Sequence, residues 1–485
     1  MGLVDIYVIN ENSIDMKKIF LTIGALAISL ATIAQSAYDA LNLAQTDPVL
    51  GTARYSAMAG AMGALGGNVS TMKDNPAGLG IYRSFDITFT PSFMINNDGE
   101  MDFNLNNFGL VVNFGNRNKS TRGYVTSSLG VSFNRIRNYS HYSSLIENDA
   151  QVSMTDIMGS DLTPDLIYDE AINLGLIGED GYSMFGYDEN GDGLSFDKAW
   201  KFSESGRVYE WDFSYGMNIS NRFYWGVTIG ARSVRYTQQS IYDEACVDGN
   251  SWYLDNYYQA TGFGANFKVG AIVRATDWLR VGFALHTPTF YDLEDEYSTD
   301  FDYKDQFADS PTIDEGYYEY TLQTPMKFQA SLGFVIGKRA LIGVEYDYED
   351  FKSMRLEANN ILIEREDRVI NDEMNVNSSI KVGTEVKVID EFSLRAGFAF
   401  VGKPMQTITS DLSNNIGLYL PVSVPKTSMY ITGGAGYSGD HFYCDIAYMY
   451  KNQKRDLYVA MPADEPTLDL DYANHNVMAT FGWKF

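Results

Sequence analysis

The chain has 485 residues, 45% of them hydrophobic, with 34 Tyr, 28 Phe and 43 Gly against only 12 Pro. Its formal net charge of −27 argues against a nucleic-acid partner, because neutralising phosphates needs a basic face. Length alone would suggest about three domains of roughly 150 residues, but an excess of Tyr, Phe and Gly favours pleated strands and tight turns.

Met16-Lys17-Lys18 opens a charged stretch, residues 19–30 are apolar, and Ala31-Thr32-Ile33-Ala34 offers small residues for cleavage before Gln35. This is the pattern of a secretory signal peptide over residues 1–34. Acidic residues in 1–15 do not suit such a signal, so translation is expected to start at Met16. The run falls short of the ~20 apolar residues a membrane helix needs. Later apolar runs are broken by Gly or by charge, so no helical span is expected after it.

Residues 35–84 do not alternate. The small-residue run 57–67 predicts a short helix and turn of slender cross-section, and Met58, Met62, Leu65 and Leu79 call for burial. Residues 35–84 are therefore expected to thread a lumen as a plug, or hatch, ahead of a barrel formed by residues 85–485.

From Phe85 onward, period-two alternation dominates. Phe223, Trp225, Val227 and Ile229 oppose Tyr224, Gly226, Thr228 and Gly230; Phe328, Ala330 and Leu332 oppose Lys327, Gln329 and Ser331. The last strand sets Val477, Ala479, Phe481, Trp483 and Phe485 on one face. Short turns at Ser220-Asn221, Thr276-Asp277, 337–339, Asp390-Glu391 and Gly439-Asp440 alternate with long polar segments near 140–207, 245–256, 291–317, 357–376, 404–426 and 455–473. Such sorting predicts an all-β, antiparallel transmembrane barrel of about fourteen strands in the outer membrane of a Gram-negative bacterium. A closing strand that ends in aromatic Phe485 resembles the signal read by the barrel assembly machinery.

The same alternation places Arg232, Arg280, Lys327, Lys381 and Arg395 on the lumen face with Glu345, Glu385 and Asp445. They are expected either to pair with those acids or to hold a ligand carboxylate. Asp188, Asn190 and Asp192 match the first half of a calcium loop, but position twelve is Ala199 where a Glu belongs, so no metal is expected. Cys246, placed in a loop, and Cys444, placed in a strand, are not expected to pair. The histidines (141, 286, 441, 475) form no local pair, and no cofactor is expected.

Ala53-Arg54, Ala59-Gly60-Ala61 and Asn75-Pro76-Ala77-Gly78-Leu79, all just before strand one, resemble the hatch of FadL-type long-chain fatty-acid transporters, a family that includes TodX-type aromatic hydrocarbon channels. His286-Thr287-Pro288-Thr289 also resembles a segment of such proteins. The composition and Gln35 resemble a Bacteroidetes branch often labelled haemin receptors. The resemblance implies a non-enzymatic, monomeric channel for passive uptake of a hydrophobic small molecule. Asn75, Pro76 and Ala77 would form the gate, and a kink in the third strand, roughly 126–139, would release cargo into membrane lipid. Two readings stay open beside it: an adhesive barrel binding external partners through acidic Tyr-rich loops, and a haem receptor using His286 or His475.

Overall fold

The computed structural model describes residues 37–96, 99, 101–115, 121–158, 165–187, 193–303, 312–337, 339–358, 361–406, 422–458 and 468–485. The expected signal peptide lies outside the described residues. The wall starts with β1 (Asp86–Ile95), β2 (Met101–Gly115), β3 (Tyr124–Ala150), β4 (Phe196–Ile219), β5 (Phe223–Cys246), β6 (Ser251–Arg274) and β7 (Leu279–His286). The hairpin β8 (Phe290–Tyr303) and β9 (Thr312–Gln323) then leaves it, and the wall resumes with β10 (Lys327–Ile336) and β11 (Ala340–Asp350). After the short β12 (Arg355–Ala358) and β13 (Ile361–Leu362), it is completed by β14 (Val376–Lys387), β15 (Phe392–Val401), β16 (Val422–Ser438), β17 (Phe442–Tyr458) and β18 (Leu468–Lys484).

The wall is a closed antiparallel barrel of 14 strands. Closure joins β1 to β18, from Asp86 opposite Lys484 to Ile95 opposite His475. The terminal residue completes the ladder, since Phe485 and Phe85 exchange both backbone hydrogen bonds (3.1 and 3.2 Å). Ser220 and Asn221 both take positive φ (57° and 55°), the backbone of the two-residue turn that matches strand twist.

Alternation sends the apolar rows outward. Phe213, Ile229, Phe283, Phe328, Ile380 and Ile446 are all exposed on the outer face, a belt that water would not tolerate and lipid would cover. The polar rows turn inward and are buried. The expectations about long connections need correction. In 245–256 only the turn at 247–250 is not strand, residues 291–303 and 312–317 belong to β8 and β9, and β3, β4, β17 and β18 run into 140–207 and 455–473; β8 pairs with the upper half of β6 from Phe290 to Tyr303. Cys246 accordingly ends β5 rather than lying in a loop, and its thiol and that of Cys444 are free. These extensions carry polar residues on both faces because they stand beyond the apolar belt, so the composition reads as loop.

Candidate functional site

The described residues before β1, from Ala37 on, fill the barrel. They form a helix at Ala37–Ala44, a second at Ala53–Ala57, and 3₁₀ turns at Val69–Lys73 and Pro76–Ile81. The small-residue run allows close approach to the wall, and the wall answers with glycine on strand after strand. A Cβ added at Gly226 would fall 2.3 Å from the Pro76 carbonyl oxygen, at Gly270 2.0 Å from Asn75 Oδ1, at Gly343 1.9 Å from the Ala61 oxygen, and at Gly383 2.2 Å from the Met58 oxygen. These positions form a girdle that no other residue type fits.

Asn75, Pro76 and Ala77 lie inside this girdle, fully buried. Asn75 is the N-cap of the second 3₁₀ turn: its Oδ1 accepts from Ala77 N (3.1 Å), and its Nδ2 donates to Gly63 O (2.9 Å) and Ala271 O (3.4 Å). Pro76 follows at the first position of the turn, where its missing N–H costs nothing. The three residues abut β5 and β6, not the middle of β3.

All five lumen bases face inward, and each has a partner. Arg232 bonds Glu210 (2.9 Å). Lys327 reaches Asp347 (3.0 Å), and Lys381 reaches both Glu345 (2.5 Å) and Asp347 (2.9 Å). Arg395 links Glu385 and Asp445 (2.6 Å each), and Arg54 of the plug joins at Glu385 (2.7 Å). Arg280 donates to the Leu65 carbonyl (2.7 Å). Sequence reasoning missed Lys268, which holds Glu210 and Asp212 at 2.8 Å each; strand alternation, extended along β4 and β6, carried that signal.

Above the plug, Tyr38, Leu41 and Leu43 of the first helix sit in an apolar cluster with Tyr139, Tyr236, Leu293, Leu322, Val369 and Met405. The helix is pinned by Ala37 N to Glu366 and Tyr38 OH to Glu373 (2.7 Å each). On the β8 hairpin, outside the membrane wall, burial pushes the Asp295 carboxyl well above the ordinary carboxylate range; Asp39 of this helix adds to the shift and a hydrogen bond from Tyr258 opposes it. A polar cavity of about 40 Å³ lies between the helix end and the plug, and Arg232 and Lys327 line it with Lys73, Asp74 and His286. It has space for water but not for an acyl chain.

The third strand breaks here. Pairing of β2 with β3 stops at Asn107 opposite Asn134, and the register of β3 with β4 shifts between Arg135 and Arg137. The carbonyl of Ile136 turns inward to accept from Asp47 N (2.7 Å). Asp47 itself bonds Lys451 (2.6 Å) and Tyr430 (2.9 Å) and lies 3.7 Å from Arg137. Nothing in the sequence around Asp47 announced this anchor.

The remaining candidates are scattered. Asp188, Asn190 and Asp192 lie outside the described residues. His286 Nε2 sits 2.6 Å from the Asp74 carbonyl, and His475 bonds Tyr448 on the outer face. His141 stacks on Tyr472, and His441 meets Lys484 at the turn end.

A closed wall with an apolar belt, a charged interior and a threaded N-terminal plug defines a transmembrane β-barrel of the outer-membrane type. Among solved structures, the fold is similar to the CymD monoaromatic hydrocarbon channel (TM-score 0.53, 11% identity, 91% of this chain and 99% of that one). It is also similar to the toluene transporter TbuX of Ralstonia pickettii (0.51, 13%, 90% and 99%) and to a FadL homologue of Pseudomonas aeruginosa (0.51, 13%, 90% and 98%). At these identities the likeness is one of fold. No family model and no curated protein matches the chain.

Proposed function

We propose that the protein is a passive channel of the Gram-negative outer membrane for hydrophobic compounds, long-chain fatty acids or aromatic hydrocarbons, which leave sideways into the membrane. The observation that carries this reading is the break in β3. The strand parts from β2 where the N-terminal segment grips it through Asp47 and Ile136, and the same segment fills the apolar upper lumen with the helix Ala37–Ala44. A cargo entering from the loop end must displace that helix, since it competes for the same apolar surface at roughly 25 cal/mol per Å² buried. Displacement draws on Asp47 and so on the seam between β2 and β3. A carboxylate cargo would meet Arg232 and Lys327, the two lumen bases that line the cavity.

Asn75, Pro76 and Ala77 would set the position of the plug during this movement. Uptake of labelled oleate and toluene by cells tests the reading. Removing residues 37–44 is expected to raise uptake several-fold, as the upper lumen empties; uptake equal to that of cells lacking the protein would refute the channel. Pro76→Gly is expected to lower uptake, and unchanged uptake would remove the gating role from the three residues.

A further inference from the structure

The five lumen bases each have a partner, and Arg135 differs from them. Its side chain is fully buried, yet Nε and Nη2 have no hydrogen-bond partner. Its one bond runs from Nη1 to Asn138 Oδ1 (3.2 Å). Among the described residues no carboxylate forms an ion pair with it, although Asp102 and Asp47 act on it from farther off, whereas equally buried Lys268, Lys381 and Arg455 each sit on one. An unpaired guanidinium in a dry place is costly, and such a group calls for a missing partner.

Its position says what that partner is. Arg135 continues the row of Leu129, Val131 and Phe133, the lipid-facing row of β3 lower in the wall, where Leu129 is half-exposed. On β4, Arg207 and Tyr209 continue the outward row of Trp211 and Phe213. Phe133 packs on Tyr209 and Trp211 (4.7 and 5.0 Å), so the two arginines stand at the upper limit of the apolar belt. The inner row of the β1–β2 hairpin covers them: Arg207 donates to Asn104 Oδ1 (3.2 Å), and Asn138 contacts Met94 Sδ (3.5 Å). Where the β3 register shifts, Met94 and Asn104 of that hairpin lie over its outer face. Arg135 thus sits on the seam between β2 and β3, just past the last pair of their ladder, Asn107 and Asn134.

We propose that Arg135, with Arg207 beside it, is a binding site for the oxyanion head of an amphipathic lipid, a carboxylate or a phosphate, in the lateral seam. A planar guanidinium whose Nε and Nη2 are both without a partner suits a two-oxygen head, and the apolar belt below suits the tail. The inference rests on the channel reading for one source of that head, a fatty-acid cargo leaving through the seam. The other source is the phosphate of a lipid in the surrounding leaflet. The site favours anionic amphiphiles over neutral hydrocarbons at this exit.

The full chain in detergent, without phosphate buffer, is titrated with oleate, with oleyl alcohol as its neutral counterpart, and with phosphorylated lipid A. Bound species are read by native mass spectrometry, and unheated gel mobility shows that each variant is folded. Arg135→Gln is expected to weaken oleate roughly tenfold while oleyl alcohol is unchanged; Arg135→Lys recovers part of the loss. If lipid A rather than oleate is lost in Arg135→Gln, the site stands with the leaflet as its source. If wild type and Arg135→Gln bind all three alike, the site is refuted and the channel reading survives. If folded wild type binds none of them, both fall.

Discussion

Lys381 has no water to turn to: its ammonium is enclosed with Glu345 and Asp347, and Glu345 in turn accepts the backbone N–H of Gly63 in the plug (2.8 Å). Replacing it with Met leaves Glu345 buried without its cation, while Asp347 keeps Lys327; breaking a buried pair in this way typically costs about 3–5 kcal/mol. Lys381→Met is expected to lower the temperature at which the barrel loses its compact gel form, and an unchanged midpoint would show that the charge cluster does not hold the plug. At this scale the sequence was legible where period two governs, so Lys381, Arg395 and Glu345 were placed on the lumen face from pattern alone. Their partners were not legible: Asp347 of β11 and Gly63 of the plug lie far from Lys381 in sequence, and only the sheet register brings them together. Asp47 and Arg135 lay beyond reach for a related reason. One sits in a segment without periodicity, and the other changes surroundings because its strand bends.

Glycine on the wall and small residues on the plug are two halves of one contact. Gly343→Leu would drive a side chain into the Ala61 carbonyl, where even a Cβ has no room. The ladder bonds of β11 to β10 and β14 do not depend on that position's side chain, so the barrel is expected to form while the plug is dislodged. Increased entry of hydrophobic dyes into cells, with normal amounts of heat-modifiable protein, would show this; unchanged permeability would mean that the plug is not the barrier. The high Gly count was visible in the composition, but its meaning was not, because strand pattern shows which face a glycine occupies and not what approaches it. The β8–β9 hairpin was misread for a different reason. Outside the belt the outer face need not be apolar, and although Leu293 and Leu322 are buried on the inner face, the Tyr, Asp and Glu on both sides imitate a loop.

For the whole molecule, the architecture was the most legible part, since the sorting of short turns from long connections sets the fold without any single residue deciding it. Closure of the ring by 14 paired strands leaves no free edge. Unheated protein in dodecyl sulfate is therefore expected to migrate faster than boiled protein, and equal mobility would contradict a closed wall. Closure also dictates a sequence of events. Asp47 is gripped by β3 from one end of the chain and by β16 and β17 from the other, and Ala53 N donates to Thr480 in the strand that shuts the ring. The segment around Asp47 thus has partners in the early strand β3 and completes its contacts only when the last strands arrive. A tail added afterward would have to be pushed end-first through a finished wall. The leading residues must therefore wait inside an unfinished sheet, and the final join between Phe85 and Phe485 traps them there.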